Sequence, residues 1–124
     1  MSMELAVLVA ALGAVGAVIR YALLSIADNP RASIAVLAGV NLSGSALAGV
    51  VSAADPSLLT TAALVGLCGG LTTFSTVALQ LAPAGSPRPP VQILSLGFLH
   101  AAGSALAAWA GYSTAIALGF AGWG

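Results

Sequence analysis

The chain has 124 residues, 60% of them hydrophobic and only 5% charged, with a formal net charge of zero and a mean hydropathy of +1.09. A soluble domain carries roughly 25% charged residues, so the composition excludes a water-soluble fold and points to an all-α integral membrane protein in a lipid bilayer. With no basic tail and no charge run, nothing suggests nucleic acid as a partner.

Crossing the hydrocarbon core takes about 20 residues of helix, and four stretches meet that length: 4–26, 33–53, 58–82 and 91–119. Together they make residues 1–124 a single four-helix transmembrane domain. The first stretch opens on Glu4 rather than on a basic leader, and more spans follow it. It therefore reads as a retained helix and not as a signal peptide. Near its end lie Gly16, Arg20 and Tyr21. Arg20 has two readings: an interfacial arginine snorkelling to headgroups with Tyr21 as a belt residue, or a cation at the mouth of an anion path. The cluster Asp28-Asn29-Pro30-Arg31 closes the span, because prolines set among polar residues break helices.

The second span carries Asn41 inside Gly39-Val40-Asn41-Leu42-Ser43-Gly44-Ser45. A lone intramembrane asparagine serves as interhelical glue. Alternatively, the two N–H donors of its amide replace water around a small anion. Asp55-Pro56-Ser57 then makes a tight turn into the third span.

Residues 66–76 of that third span read GLCGGLTTFST, a poor way to build an uninterrupted lipid-facing helix. Non-helical backbone at membrane depth is tolerated only where protein buries it or a watery cavity receives it. Polar side chains placed there mark an ion or substrate path. A break near Gly69–Thr73, with unwinding near Gly69 and Gly70, would free backbone carbonyls to hold a cation such as sodium. Phe74 has a positive ring edge that an anion can approach, and the hydroxyls of Ser75 and Thr76 would complete the solvation. The competing reading is a glycine-weakened helix whose hydroxyls bond back to the preceding turn. Cys68, the single cysteine, reads as a small apolar packing residue, with no disulfide partner and no metal-type spacing.

Pro83 to Pro90, with Gly85 and Arg88, separates the third span from the fourth. The fourth contains His100, the only histidine, and no carboxylate lies mid-membrane to partner it; Glu4, Asp28 and Asp55 all sit at span ends. There is thus no catalytic constellation, and an enzyme is not expected. Small residues recur at helix-packing spacing, Gly66 with Gly70, Ser45 with Gly49 and Gly103 with Ala107, letting helices approach closely in lipid. Four short helices enclose little space, so an oligomer is the natural way to build a pathway.

Orientation follows from three arginines. The loops holding Arg31 and Arg88 lie on one side of the membrane, Arg20 is nearest that side, and the opposite side has no Lys or Arg. The positive-inside rule puts those loops in the cytoplasm and both termini outside.

The run Gly69-Gly70-Leu71-Thr72-Thr73-Phe74-Ser75-Thr76 closely resembles the signature of the CrcB/Fluc fluoride channels. Gly16, Arg20 and Tyr21 match that family's Gly-x-x-x-Arg-Tyr element in the first helix, and Asn41 within Gly-Val-Asn-Leu-x-Gly-Ser matches its second. The resemblance spans essentially the whole chain, and the third-helix motif is its specific part. It implies four-helix subunits paired antiparallel in a dual-topology-type dimer, with two narrow fluoride pores and a central structural sodium ion. The sodium ligands carry over to the backbone carbonyls of Gly69 and Thr72. Fluoride would touch Asn41 and Phe74, with Ser75 and Thr76 along a polar track and Ser104 on the fourth helix. His100, one turn before Ser104, stands where another small polar side chain is expected. The implied function is passive export of toxic fluoride from the cytoplasm across a bacterial inner (plasma) membrane.

One departure is Val77, where the family motif usually has a second phenylalanine; valine offers no polarised ring edge. Self-pairing antiparallel chains must insert both ways, which calls for little arginine bias, yet the bias here is one-sided. These two features suggest one half of a two-chain channel whose paralogous partner inserts the opposite way, with self-pairing as the alternative. Val77 also keeps open a non-conducting partner that only completes a dimer. A small multidrug exporter, which needs a buried carboxylate, is disfavoured by the placement of all three acids.

Overall fold

Each of the first three spans begins where a polar side chain satisfies free N–H groups of the opening turn. Ser2 accepts from the Leu5 N–H at 3.2 Å, and Asn29 Oδ1 accepts from Ala32 at 2.9 Å. Ser57 and Thr60 form a reciprocal capping box. The computed structural model describes residues 2–81 and 88–120, all helix and connecting turn with no strand among them.

Helix α1 covers Met3–Ser25 and α2 covers Pro30–Ser52. The second helix starts ahead of residue 33 because Asn29 caps it and Pro30 occupies its first turn, where a missing N–H costs nothing. The third span, Leu58–Leu81, is assembled from pieces: α3 (Leu58–Ala62), a π-helical segment (Ala63–Cys68), α4 (Gly69–Leu71) and α5 (Phe74–Leu81). Helix α6 runs Pro90–Ala117. It ends in a Schellman turn, with Gly119 at φ +75 and N–H bonds from Gly119 to Ile116 and from Phe120 to Ala115, both 3.0 Å. That left-handed position favours glycine, which has no Cβ to clash. All four spans are long and apolar enough to cross a membrane. The expected end of the third span at 82 and the Pro83–Gly85 separator lie outside the described residues.

Two tight pairs organise the bundle, both made by glycine. In the first, α1 lies against the third span. A Cβ on Gly70 would fall on the Gly13 carbonyl, one on Gly16 on the Leu67 carbonyl, and one on Gly66 would come 2.6 Å from the Val9 carbonyl. In the second, α2 lies against α6, where a Cβ on Gly49 would fall on the Ala108 carbonyl and one on Gly111 on the Ala46 carbonyl. Lipid supplies no hydrophobic drive between helices, so this backbone-to-backbone approach is what gains dispersion energy. A small apolar core of Leu37, Val77 and Leu81, flanked by Leu24, Ile93 and Leu96, ties α2 and α5 to α1 and α6.

Candidate functional site

The third span breaks after Leu71, within the stretch expected to break but beyond the two glycines. Gly69 and Gly70 themselves are helical, and the close approach to α1 requires glycine at position 70 in particular. Thr72 instead turns extended, at φ −83 and ψ 148. The reason lies on α2. A continuous helix would give the Thr73 N–H to the Gly69 carbonyl, but here it goes to Asn41 Oδ1 at 3.0 Å. Asn41 Nδ2 donates in return to the Thr73 carbonyl at 3.2 Å. One amide thus replaces the helical acceptor of the Thr73 N–H and adds a second donor to its carbonyl, which also takes the first bond of α5.

The Thr72 carbonyl is engaged from α1, where Arg20 Nη1 donates to it at 3.2 Å. The Thr72 hydroxyl bonds back to the Cys68 carbonyl at 3.0 Å, the local pattern anticipated for a hydroxyl in this segment. Thr73 Oγ1 caps α5. It accepts from the Thr76 N–H at 3.4 Å, lies 3.0 Å from Ser75 Oγ and accepts from Thr76 Oγ1 at 3.4 Å. Among the described residues no buried side-chain nitrogen or oxygen lacks a partner.

Beside it opens a groove of about 310 Å³. Its wall combines Asn41 and Ser45 from α2, Thr72 and Thr73 from the break, Phe74 and Val77 from α5, and His100 and Ser104 from α6. Three residues singled out in the sequence for anion contact, Asn41, Phe74 and Ser104, therefore share one wall. Ser75 and Thr76 do not line it; they gather around Thr73 at the start of α5. Arg20 approaches from behind, its guanidinium bound across to the third span rather than turned to the span end. Asn41 spends one N–H and its carbonyl oxygen on Thr73, leaving one N–H of the two an amide carries.

Phe74 and Val77 face opposite fates. The Phe74 ring is 77% exposed, whereas Val77 is 2% exposed, packed with Leu37 and Leu81. The groove is thus rimmed by an aromatic edge that leaves the surface of this chain. Sequence reasoning passed over Thr73, although a hydroxyl just ahead of a helical run is a capping signal. It read Ser45 only as packing, although Ser45 lies four residues from Asn41 and so on the same helix face. It also missed Gln80, whose Nε2 donates to Ser33 Oγ at 2.7 Å and joins α5 to α2 near Arg88.

The oxygens that the resemblance assigns to sodium are of the right type, since unwound carbonyls at membrane depth coordinate such ions. Diversion of the Thr73 N–H to Asn41 removes the Gly69 carbonyl's helical donor, and Gly69 is exposed with nothing within 4 Å of a Cβ position. The Thr72 oxygen has a second lone pair beside its bond to Arg20, although the guanidinium charge opposes a cation there. The donor set fits a weakly charged, hard cation whose remaining ligands come from elsewhere. Among the described residues no cluster of three His, Cys, Asp or Glu forms a metal site.

The family model described as CrcB-like protein, Camphor Resistance (CrcB), matches residues 7–112. A fluoride-specific ion channel, FluC 2, of Rhodococcus jostii (strain RHA1) is 35% identical over 106 residues, covering 85% of this chain and 93% of the relative. A fluoride-specific ion channel, FluC 1, of Staphylococcus haemolyticus (strain JCSC1435) is 38% identical over 107 residues, covering 82% and 91%. No solved structure matches the chain.

Proposed function

The chain belongs to the CrcB family, and we propose that it is a subunit of a fluoride-selective channel through which fluoride leaves the cytoplasm passively. The observation that carries this reading is the groove beside the break. There a free Asn41 N–H, the hydroxyls of Ser45 and Ser104 and the rim of Phe74 converge on one opening. Fluoride holds its water tightly, so a pore that strips it must supply several donors at close range. Hydroxyls and an amide do so without carrying a fixed charge. The names of the two relatives support fluoride as the ion. Ser75 and Thr76 extend the hydroxyl track from the cap of α5.

In this reading the channel is a dimer of oppositely oriented chains in the bacterial inner membrane. An exposed Phe74 and a groove open on one side are what a missing partner would cover. The Gly69 and Thr72 carbonyls of both chains would hold a structural sodium ion between them. That ion would supply only fixed positive charge at the dimer centre. Arg31 and Arg88 would face the cytoplasm and both termini the outside. The one-sided arginine count favours a paralogous partner over self-pairing.

Fluoride efflux from liposomes, read with a fluoride electrode against a chloride control, tests these proposals in turn. Rapid fluoride-selective efflux from the chain alone supports the channel and overturns the two-chain arrangement. Efflux that requires a co-reconstituted paralogue supports both. Silence from well-folded protein in either composition overturns the channel reading and leaves a non-conducting partner.

A further inference from the structure

His100 has no role in the reading above, yet it occupies a singular position. It lines the polar groove with Asn41, Phe74 and Ser104. It also lines a second, apolar groove of about 250 Å³ between α2 and α6, whose wall includes Ile34, Leu42, Leu96 and Leu99. No other residue belongs to both, so the imidazole stands as the partition between a hydrogen-bonding channel wall and a greasy one.

Every other group facing the polar groove keeps its charge. From α2 come the amide of Asn41 and the hydroxyl of Ser45, from the break the two threonines, from α5 Phe74 and Val77, and from α6 itself Ser104. Among the described residues no carboxylate lines either groove. Arg20 lines neither, and its guanidinium is bound to the Thr72 carbonyl. A proton gained by His100 would therefore be neither neutralised by a neighbouring acid nor shared with a second base. It would stand unopposed on the wall.

We propose that His100 makes fluoride passage through this groove proton-dependent, which rests on the channel reading above. A neutral imidazole presents one N–H and one lone pair, and the lone pair repels an anion. The protonated ring presents two donors and a positive charge. Histidine is the side chain suited to change state in mild acid. The direction also suits the cargo: fluoride in acid becomes partly neutral hydrogen fluoride, which crosses lipid unaided, so acid surroundings bring more fluoride into a cell. A wall that gains charge in acid captures the ion better when the load rises.

The test compares wild type, His100→Gln and His100→Arg in liposomes of whichever composition conducts, the chain alone or with its paralogue. Efflux at low fluoride is read at about pH 7.5 and about pH 5.5, after subtracting protein-free vesicles to remove leakage of hydrogen fluoride. Wild-type efflux should rise about tenfold between the two, the effect of one added charge near the ion. His100→Gln should stay at the low level at both, and His100→Arg, charged throughout, at the high level. If His100→Arg does not assemble, His100→Gln alone decides. Parallel rises in wild type and His100→Gln overturn the proposal and leave the channel standing. Loss of all efflux in His100→Gln overturns it too, since the imidazole would then be needed in either state. No efflux from any variant overturns the channel reading and this proposal together.

Discussion

Replacing Asn41 with leucine tests what holds the break open. The side chain is 6% exposed and makes two bonds to one residue, at 3.0 Å and 3.2 Å to Thr73. Removing it strands the Thr73 N–H, at about 1–3 kcal/mol if left unpaired, and takes from the Thr73 carbonyl the second of its two bonds. Interhelical bonds in membranes average only about 0.6 kcal/mol, because the groups find other partners. The alternative partner is visible here: the Thr73 N–H can return to the Gly69 carbonyl if α4 and α5 fuse. The carbonyl of Thr73 keeps the first intrahelical bond of α5, from the Val77 N–H, so the N–H is the group that must find a new partner. We therefore expect Asn41→Leu to lower stability by about 2 kcal/mol, between the two limits. It should also abolish efflux, because the groove wall moves. Asn41→Asp keeps an acceptor for the N–H but sets oxygen against the Thr73 carbonyl, and should cost at least as much. Unfolding of the reconstituted protein, with amide exchange at Thr73, makes the measurement. Unchanged stability together with unchanged Thr73 exchange in Asn41→Leu would refute the account.

Phe74→Ile should leave stability unchanged, because the ring is 77% exposed, and should abolish fluoride efflux; retained efflux would remove the ring from the pathway. Gly49→Val places a side chain on the Ala108 carbonyl and should destabilise by about 3 kcal/mol, read as loss of a monodisperse species in detergent. Arg20→Ala releases the Thr72 carbonyl and should cost about 1.5–3 kcal/mol, the range for a bond to a charged donor; a thermal midpoint equal to wild type would show that the bond adds nothing. Leu37→Ala, at a site of 0% exposure, should cost about 2–5 kcal/mol in the same measurement.

The four spans were legible because length, apolarity and proline-bearing polar clusters are local signals, although the cap at Asn29 that starts the second span three residues early was not read. The break was legible as a region, since paired glycines and hydroxyls do not suit a lipid-facing helix. Its position was not. Glycine in a span has two meanings, a backbone free to unwind and a surface with no Cβ, and sequence alone does not separate them. Gly70 has the second meaning, fixed by Gly13 on another helix. Likewise the unwound residue is chosen by Asn41, which lies 32 positions away from Thr73. Asn41 and Phe74 were legible from their own chemistry at membrane depth, and Ser104 was found through resemblance. Thr73 and Ser45 carried local signals, a cap position and a shared helix face, that the apolar run around them obscured.

The break lies where the two glycine-made pairs join. Arg20 reaches it from α1, the partner of the third span, and Asn41 reaches it from α2, the partner of α6. The unwound backbone is thus clamped from both pairs, and neither clamp moves without shearing a seam in which backbone already touches backbone. This accounts for the placing of the polar residues better than a demand for polarity along a path would. Asn41 and Arg20 are the cost of an open helix at membrane depth, because its carbonyls need donors that lipid does not offer. With the Thr72 and Thr73 carbonyls held from behind and from α2, what remains free on the groove side is a short set of donors on rigid supports. A small anion that sheds its water reluctantly needs donors whose positions do not adapt, and two interlocked helix pairs supply that stiffness where four independent short helices in lipid would not.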